Sequence, residues 1–134
     1  MSVTTTIEHV VDIDAEPETV YRMWTTAEGL GAWWGEAATV DARPGGSIRV
    51  DIDGQHVMAG EYVELESPHR VRFSFGWAGG DPPAGSTQVD VRIDAHGGGT
   101  RLTLRHDGLP VEFVASHMQG WIYFLGERLG EVGA

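Results

Sequence analysis

VEFVASHMQGWIYFLGERLG, Val111 to Gly130, is the stretch that decides the fold. Val114, His117, Met118, Trp121, Leu125 and Leu129 recur in it at steps of three and four, which gives a helix of about five turns one apolar face. Such a face must lie against an apolar surface of similar length. The segments upstream supply one, because they read as strands.

Working back from Pro110, Leu102, Leu104 and His106 alternate with polar neighbours, and Gly97-Gly98-Gly99 turns that run into Val89, Val91 and Ile93. Val71, Phe73, Phe75 and Trp77 alternate with Arg70, Arg72 and Ser74. A further strand spans His56 to Leu65. Its inward set changes parity between His56 and Met58 on one side and Val63 and Leu65 on the other, so a bulge is expected near Gly60. Pro44-Gly45-Gly46 turns into Ile48, Val50 and Ile52. Ala78 to Ser86 is too rich in glycine and proline to continue a strand and reads as a mobile flap. At the start of the chain Val3, Ile7, Val11 and Ile13 mark one strand with His9 on the same face. Pro17, Val20 and Trp24 follow as a short helix. Thr25 and Glu28 have the spacing of a capping box for a second helix through Leu30, Trp33 and Trp34 to Gly35.

This order predicts an α+β fold in which a curved antiparallel sheet wraps a long C-terminal helix, as one domain over residues 1–134. The 134 residues carry 9 Lys+Arg against 20 Asp+Glu, a formal charge of −11. That balance opposes binding to nucleic acid or an anionic membrane face. There is no Cys, Lys or Asn, so thiol chemistry, lysine Schiff bases and a P-loop lysine are excluded. No segment approaches the roughly 20 apolar residues of a membrane span, and the start of the chain has no basic, apolar leader; a cytoplasmic location is expected.

Several short pieces, taken in order, resemble one family. They are Ile13-Asp14-Ala15 with Pro17 and Val20, Trp33-Trp34-Gly35, Pro44-Gly45-Gly46 with Arg49, Gly60-Glu61 with Pro68, and Phe73 to Trp77. Gly99-Thr100-Arg101-Leu102, His106 with Gly108-Leu109, and His117 with Gly120-Trp121 complete the set. Together they resemble the SRPBCC or START-like superfamily, with its helix-grip fold, in the branch related to the C-terminal domain of the activator of Hsp90 ATPase. The resemblance runs almost end to end. It implies a cavity between sheet and long helix that holds a hydrophobic or amphipathic small molecule, with no cofactor. It also allows a homodimer. Association with Hsp90 itself is not expected, because the chain lacks the other domain through which the full-length co-chaperone acts.

On this reading Trp33, Trp34, His56, Met58, Phe73, Phe75, Trp77, Val91, Leu104, His106, His117 and Trp121 are candidate ligand contacts. Phe124 belongs to the same apolar surface, and core packing predicts the same residues. Trp33 and Trp34 point about 100° apart on a helix, so one lines the cavity or both cover the sheet edge. His56, His106 and His117 fall on or near inward faces. They could orient a ligand or shuttle a proton, or each could satisfy a local hydrogen bond. No pair has the HxxxH spacing that sets two ligands on one helical face, and no metal is expected. Ser116-His117 is no nucleophile pair, since helix neighbours do not face each other. Three functions follow: a small-molecule binding domain, an enzyme of the polyketide cyclase or hydrolase kind using the same cavity, and a co-chaperone-like interaction module that needs none.

Overall fold

The computed structural model describes residues 3–130, so the ends of the expected 1–134 domain lie outside the described residues. β1 (Thr4–Ile13) leads into α1 (Pro17–Thr25) and α2 (Ala27–Trp33). Six strands follow: β2 (Ala37–Val40), β3 (Ser47–Asp51), β4 (Val57–Glu66), β5 (Arg70–Phe75), β6 (Thr87–His96) and β7 (Gly99–Pro110). A 3₁₀ turn at Val111–Phe113 opens α3 (Val114–Trp121), which runs on as a wider π-helical segment, Ile122–Leu129. The strands form one antiparallel sheet of seven in the order β1-β7-β6-β5-β4-β3-β2.

The fold is the α+β helix-grip arrangement, and Trp121 faces the sheet, buried among Trp24, Trp34, Phe75 and His106. The expected single helix over Val111 to Gly130 is one continuous helical run that changes winding twice; no proline accounts for the widening after Trp121. β2, a short edge strand, carries no alternation strong enough to have been read. The cap of α2 is Thr26, not Thr25: its Oγ1 accepts the Gly29 N–H at 2.9 Å, while the Thr25 hydroxyl donates back to the Tyr21 carbonyl.

The parity change in β4 is present but sits between Tyr62 and Glu64. Met58 and Tyr62 therefore share the inner face, Val63 is turned to solvent, and Leu65 returns to the core. Gly60 has another role: a Cβ there would collide with the Ser74 carbonyl, so the close pass of β4 against β5 requires glycine. Tyr62, which nothing in the sequence pattern singles out, is fully buried and donates its hydroxyl to the Trp24 carbonyl at 2.8 Å. Burial holds that phenol above its usual range.

Ile48, Val50, Met58, Phe73, Val91, Ile93, Leu102 and Leu104 cover the inner face of the sheet without solvent exposure, and Trp24, Leu30 and Trp33 seal them from the helical side. Such burial is the main driving force of folding, at about 25 cal/mol per Å² of apolar surface.

Candidate functional site

The inner face is not filled to its end. Beyond Phe75, where β5 stops, a pocket of about 300 Å³ opens to solvent. β5 and its extension contribute Phe75 and Trp77, and Trp34 follows directly on α2. The helical run adds Ser116, His117, Gly120, Trp121 and Phe124, and His56 stands on the loop before β4. The Phe113, His117, Gly120, Trp121, Phe124 spacing is the α-helical face pattern carried past the change of winding. Gly120 leaves the gap: a Cβ placed there meets nothing within 4 Å.

Two indole–imidazole pairs are built into this end. In the buried pair Trp121 Nε1–H donates to His106 Nδ1 at 3.1 Å. A neutral imidazole that accepts at Nδ1 carries its proton on Nε2, which lies 2.8 Å from Thr87 Oγ1. The Thr87 hydroxyl in turn donates to the Phe75 carbonyl at 2.8 Å. Every hydrogen in the chain Trp121–His106–Thr87–Phe75 thus has one acceptor. Burial, reinforced by nearby His117, drives the His106 pKa down to about 3, so the ring stays neutral.

In the outer pair Trp77 Nε1–H donates to His117 Nε2 at 3.0 Å, and His117 Nδ1–H is left to donate to the Phe113 carbonyl at 2.8 Å. Burial lowers the pKa of His117 as well. The two imidazoles stand 5.9 Å apart, edge to face, with Phe75 against both at 4.5 and 5.8 Å. Neither ring has a free lone pair, since both nitrogens of each are engaged.

His56 is arranged differently. The hairpin Asp51-Ile52-Asp53-Gly54-Gln55-His56 closes on its own side chains: Asp51 Oδ1 accepts the Gly54 N–H at 2.7 Å, and Asp53 Oδ1 accepts the N–H groups of Gln55 and His56 at 2.9 and 2.8 Å. Gly54 sits at φ +84°, which glycine adopts without strain. His56 Nδ1 lies 2.8 Å from Asp53 Oδ2, and the ring stands edge-on to Trp77 at 6.2 Å. Hydrogen bonds from His56 and Gln55 hold the Asp53 carboxyl down at about 2.

Of the candidate contacts, Trp34, His56, Phe75, Trp77, His117 and Trp121 border the pocket. Trp33, Met58, Phe73, Val91 and Leu104 do not: each is sealed in the packed core, and His106 lies behind the wall, in contact with Phe75. His56 was expected on an inward strand face and is instead an exposed rim residue, because the hairpin holds it outside β4. Trp33 and Trp34 do not diverge; their rings stack at 5.1 Å and 8°, and both are buried. Trp33 donates its N–H to the Met23 carbonyl. The pocket does not lie under Ala78–Ser86, none of whose residues borders it. That loop is tied to β4, with Ala78 N–H on the Val57 carbonyl and Gly85 N–H on the Ala59 carbonyl at 2.8 and 3.1 Å. Thr87 and Gly120 were missed as site residues. Thr87 shares the parity of Val89 and Val91, so its inward direction was readable; its hydrogen-bonding role was not.

A curved antiparallel sheet gripping a C-terminal helix, open and aromatic at one end, defines the SRPBCC helix-grip class. The chain belongs to the activator of Hsp90 ATPase homolog 1-like family, whose model matches residues 14–133. An AHSA1-like protein of Rhizobium etli shares 36% identity over 98% of this chain and 83% of its own, with a TM-score of 0.77. The Aha1 dimer of Colwellia psychrerythraea is similar in fold, at 23% identity over 96% and 98% of the two chains and a TM-score of 0.79. DynU16, from the dynemicin biosynthetic locus, matches at 25% identity over 94% of this chain and 46% of its own, with a TM-score of 0.78. No curated protein matches the sequence. Among the described residues no helix is long and apolar enough to cross a membrane.

Proposed function

We propose that the whole chain, 1–134, is one START-like domain that binds a small hydrophobic or amphipathic molecule in the pocket between Phe75, Trp77 and α3, in the cytoplasm and without a cofactor. The observation that carries this reading is the pocket wall. Two of its three indoles, Trp77 and Trp121, give their N–H groups to His117 and His106, so this part of the wall presents ring faces and edges, which favour an apolar guest. About 300 Å³ is at the lower end of small-molecule pockets, which suits a compact ring system. The relative from a biosynthetic locus supports a small organic molecule as the guest.

The same wall argues against an enzyme using His106 or His117 as acid or base, since proton transfer would first have to break a buried hydrogen bond. A relative solved as a dimer makes self-association a property to measure, not a requirement of the pocket. The test is fluorescence titration of the purified protein with the neutral dye N-phenyl-1-naphthylamine. Saturable uptake at one dye per chain, with quenching of tryptophan emission, is expected; absence of saturable uptake would overturn the binding reading.

A further inference from the structure

Three imidazoles lie along this end of the molecule, and their lone pairs have different fates. A neutral imidazole has one donating and one accepting nitrogen. In His106 the acceptor is occupied by the Trp121 N–H, and in His117 by the Trp77 N–H. In His56 the nitrogen facing Asp53 is Nδ1, and a carboxylate only accepts, so Nδ1 carries the proton and Nε2 holds the lone pair. No hydrogen bond among the described residues engages that Nε2.

The ring is also held in place. Asp53 is fixed by two backbone N–H groups of the hairpin, so the carboxylate that orients His56 is itself oriented. The depressed Asp53 pKa agrees with a carboxylate charged at every ordinary pH. The hydroxyl of the wall, Ser116 Oγ, lies 3.1 Å from the Phe113 carbonyl, to which it donates, and 3.2 Å from His117 Nδ1. His56 is thus the one imidazole of the wall whose accepting nitrogen remains for a guest.

From this geometry we infer that His56, positioned by Asp53, is a hydrogen-bond-accepting subsite that selects guests bearing a phenolic or alcoholic hydroxyl beside an apolar ring system. The inference rests on the binding reading above and adds the chemical class of the guest. The apolar body occupies the space beside Gly120, Phe124 and Trp77, and the hydroxyl stays at the rim, where it donates to Nε2. Water solvates His56 when the pocket is empty, so the gain is that of an exchanged hydrogen bond, about three- to tenfold in affinity.

The test compares 2-naphthol with its methyl ether, 2-methoxynaphthalene, by fluorescence titration at pH 8, above the ordinary imidazole range. Wild type is expected to bind 2-naphthol about three- to tenfold more tightly, His56→Phe to bring the ratio to one, and His56→Gln, which keeps an acceptor, to retain part of it. Asp53→Ala frees the ring and should lower the ratio without abolishing it. Circular dichroism checks that each variant is folded. If the methyl ether binds, is lost in Gly120→Trp, and the naphthol shows no preference, the pocket stands and the subsite falls. A preference that persists in His56→Phe also overturns the subsite. If neither compound binds wild type, the binding reading fails and the subsite with it.

Discussion

Phe73 and Phe75 leave β5 on the same side, two residues apart, yet one is sealed in the core and the other forms the wall of an open pocket. Around Phe73 stand Trp24, Trp34 and Tyr62, at ring distances of 6.1, 6.1 and 6.4 Å. Around Phe75 stand Trp34, Trp77, His106, His117 and Trp121, and beside them Gly120 offers no side chain. Strand alternation decides which side a residue takes. How completely that side is filled depends on the opposing helices, which close over Phe73 but set Gly120, without a side chain, beside the rings around Phe75.

The widest gap between the two regions should appear on truncation. Phe73→Ala is expected to lower stability by about 3–5 kcal/mol in chemical denaturation, as for a large residue removed from a sealed core. Phe124→Ala, at the half-buried pocket wall, is expected to lose no more than about 1–2 kcal/mol, because its atoms already border open space. Equal losses would erase the distinction.

Next in size is the hydrogen-bonded boundary between the regions. His106→Phe keeps a ring of similar shape but leaves the buried Trp121 N–H without an acceptor, at a cost of about 1–3 kcal/mol. His117→Phe should cost less, because the Trp77 indole is only partly buried.

pH sharpens the same point. The unfolded chain binds a proton at His106 near 6.5, and the folded one only near 3, so between these values the unfolded state holds more protons. Stability is therefore fully present above about pH 6.5 and lost as pH falls, by up to about 1.4 kcal/mol per unit for this residue, with His117 acting in the same direction. Thermal melts from pH 7.5 to 4 should show this slope, and in His106→Phe it should be shallower. The depressed Asp53 carboxyl acts in the same direction but in a lower window, below about 3.8, which separates the two contributions.

The sheet, its order of strands and the long helix were legible because alternation and helical spacing are local patterns, repeated over many residues. Helix start and bulge position were displaced by one to three residues, since Thr25 or Thr26, and Gly60 or Val63, satisfy the pattern almost equally. The site was half legible. Phe75, Trp77, His117 and Trp121 announce themselves as an aromatic cluster on the right faces. Met58, Val91 and Leu104 look the same in sequence and are sealed, because the core that covers them is assembled from parts of the chain far apart in sequence. The His106–Thr87 link joins residues 19 positions apart on neighbouring strands, and the register of the sheet alone brings them together. His56 was misplaced for a local reason: two aspartates and a glycine fold the hairpin so that it stops short of the strand.

The smallest expected change in stability makes the most direct test, because it is expected to come with complete loss of dye uptake. Adding a tryptophan to each region, Val91→Trp in the sealed part and Gly120→Trp in the open part, places an indole where there is no room and where there is. Val91→Trp should lose about 1–3 kcal/mol or more by overpacking. Gly120→Trp should remain within about 1 kcal/mol of wild type, helped by leaving a helical glycine, and should take up no N-phenyl-1-naphthylamine. A Gly120→Trp protein that is as destabilised as Val91→Trp, or that still takes up the dye, would contradict an open pocket beside Phe75.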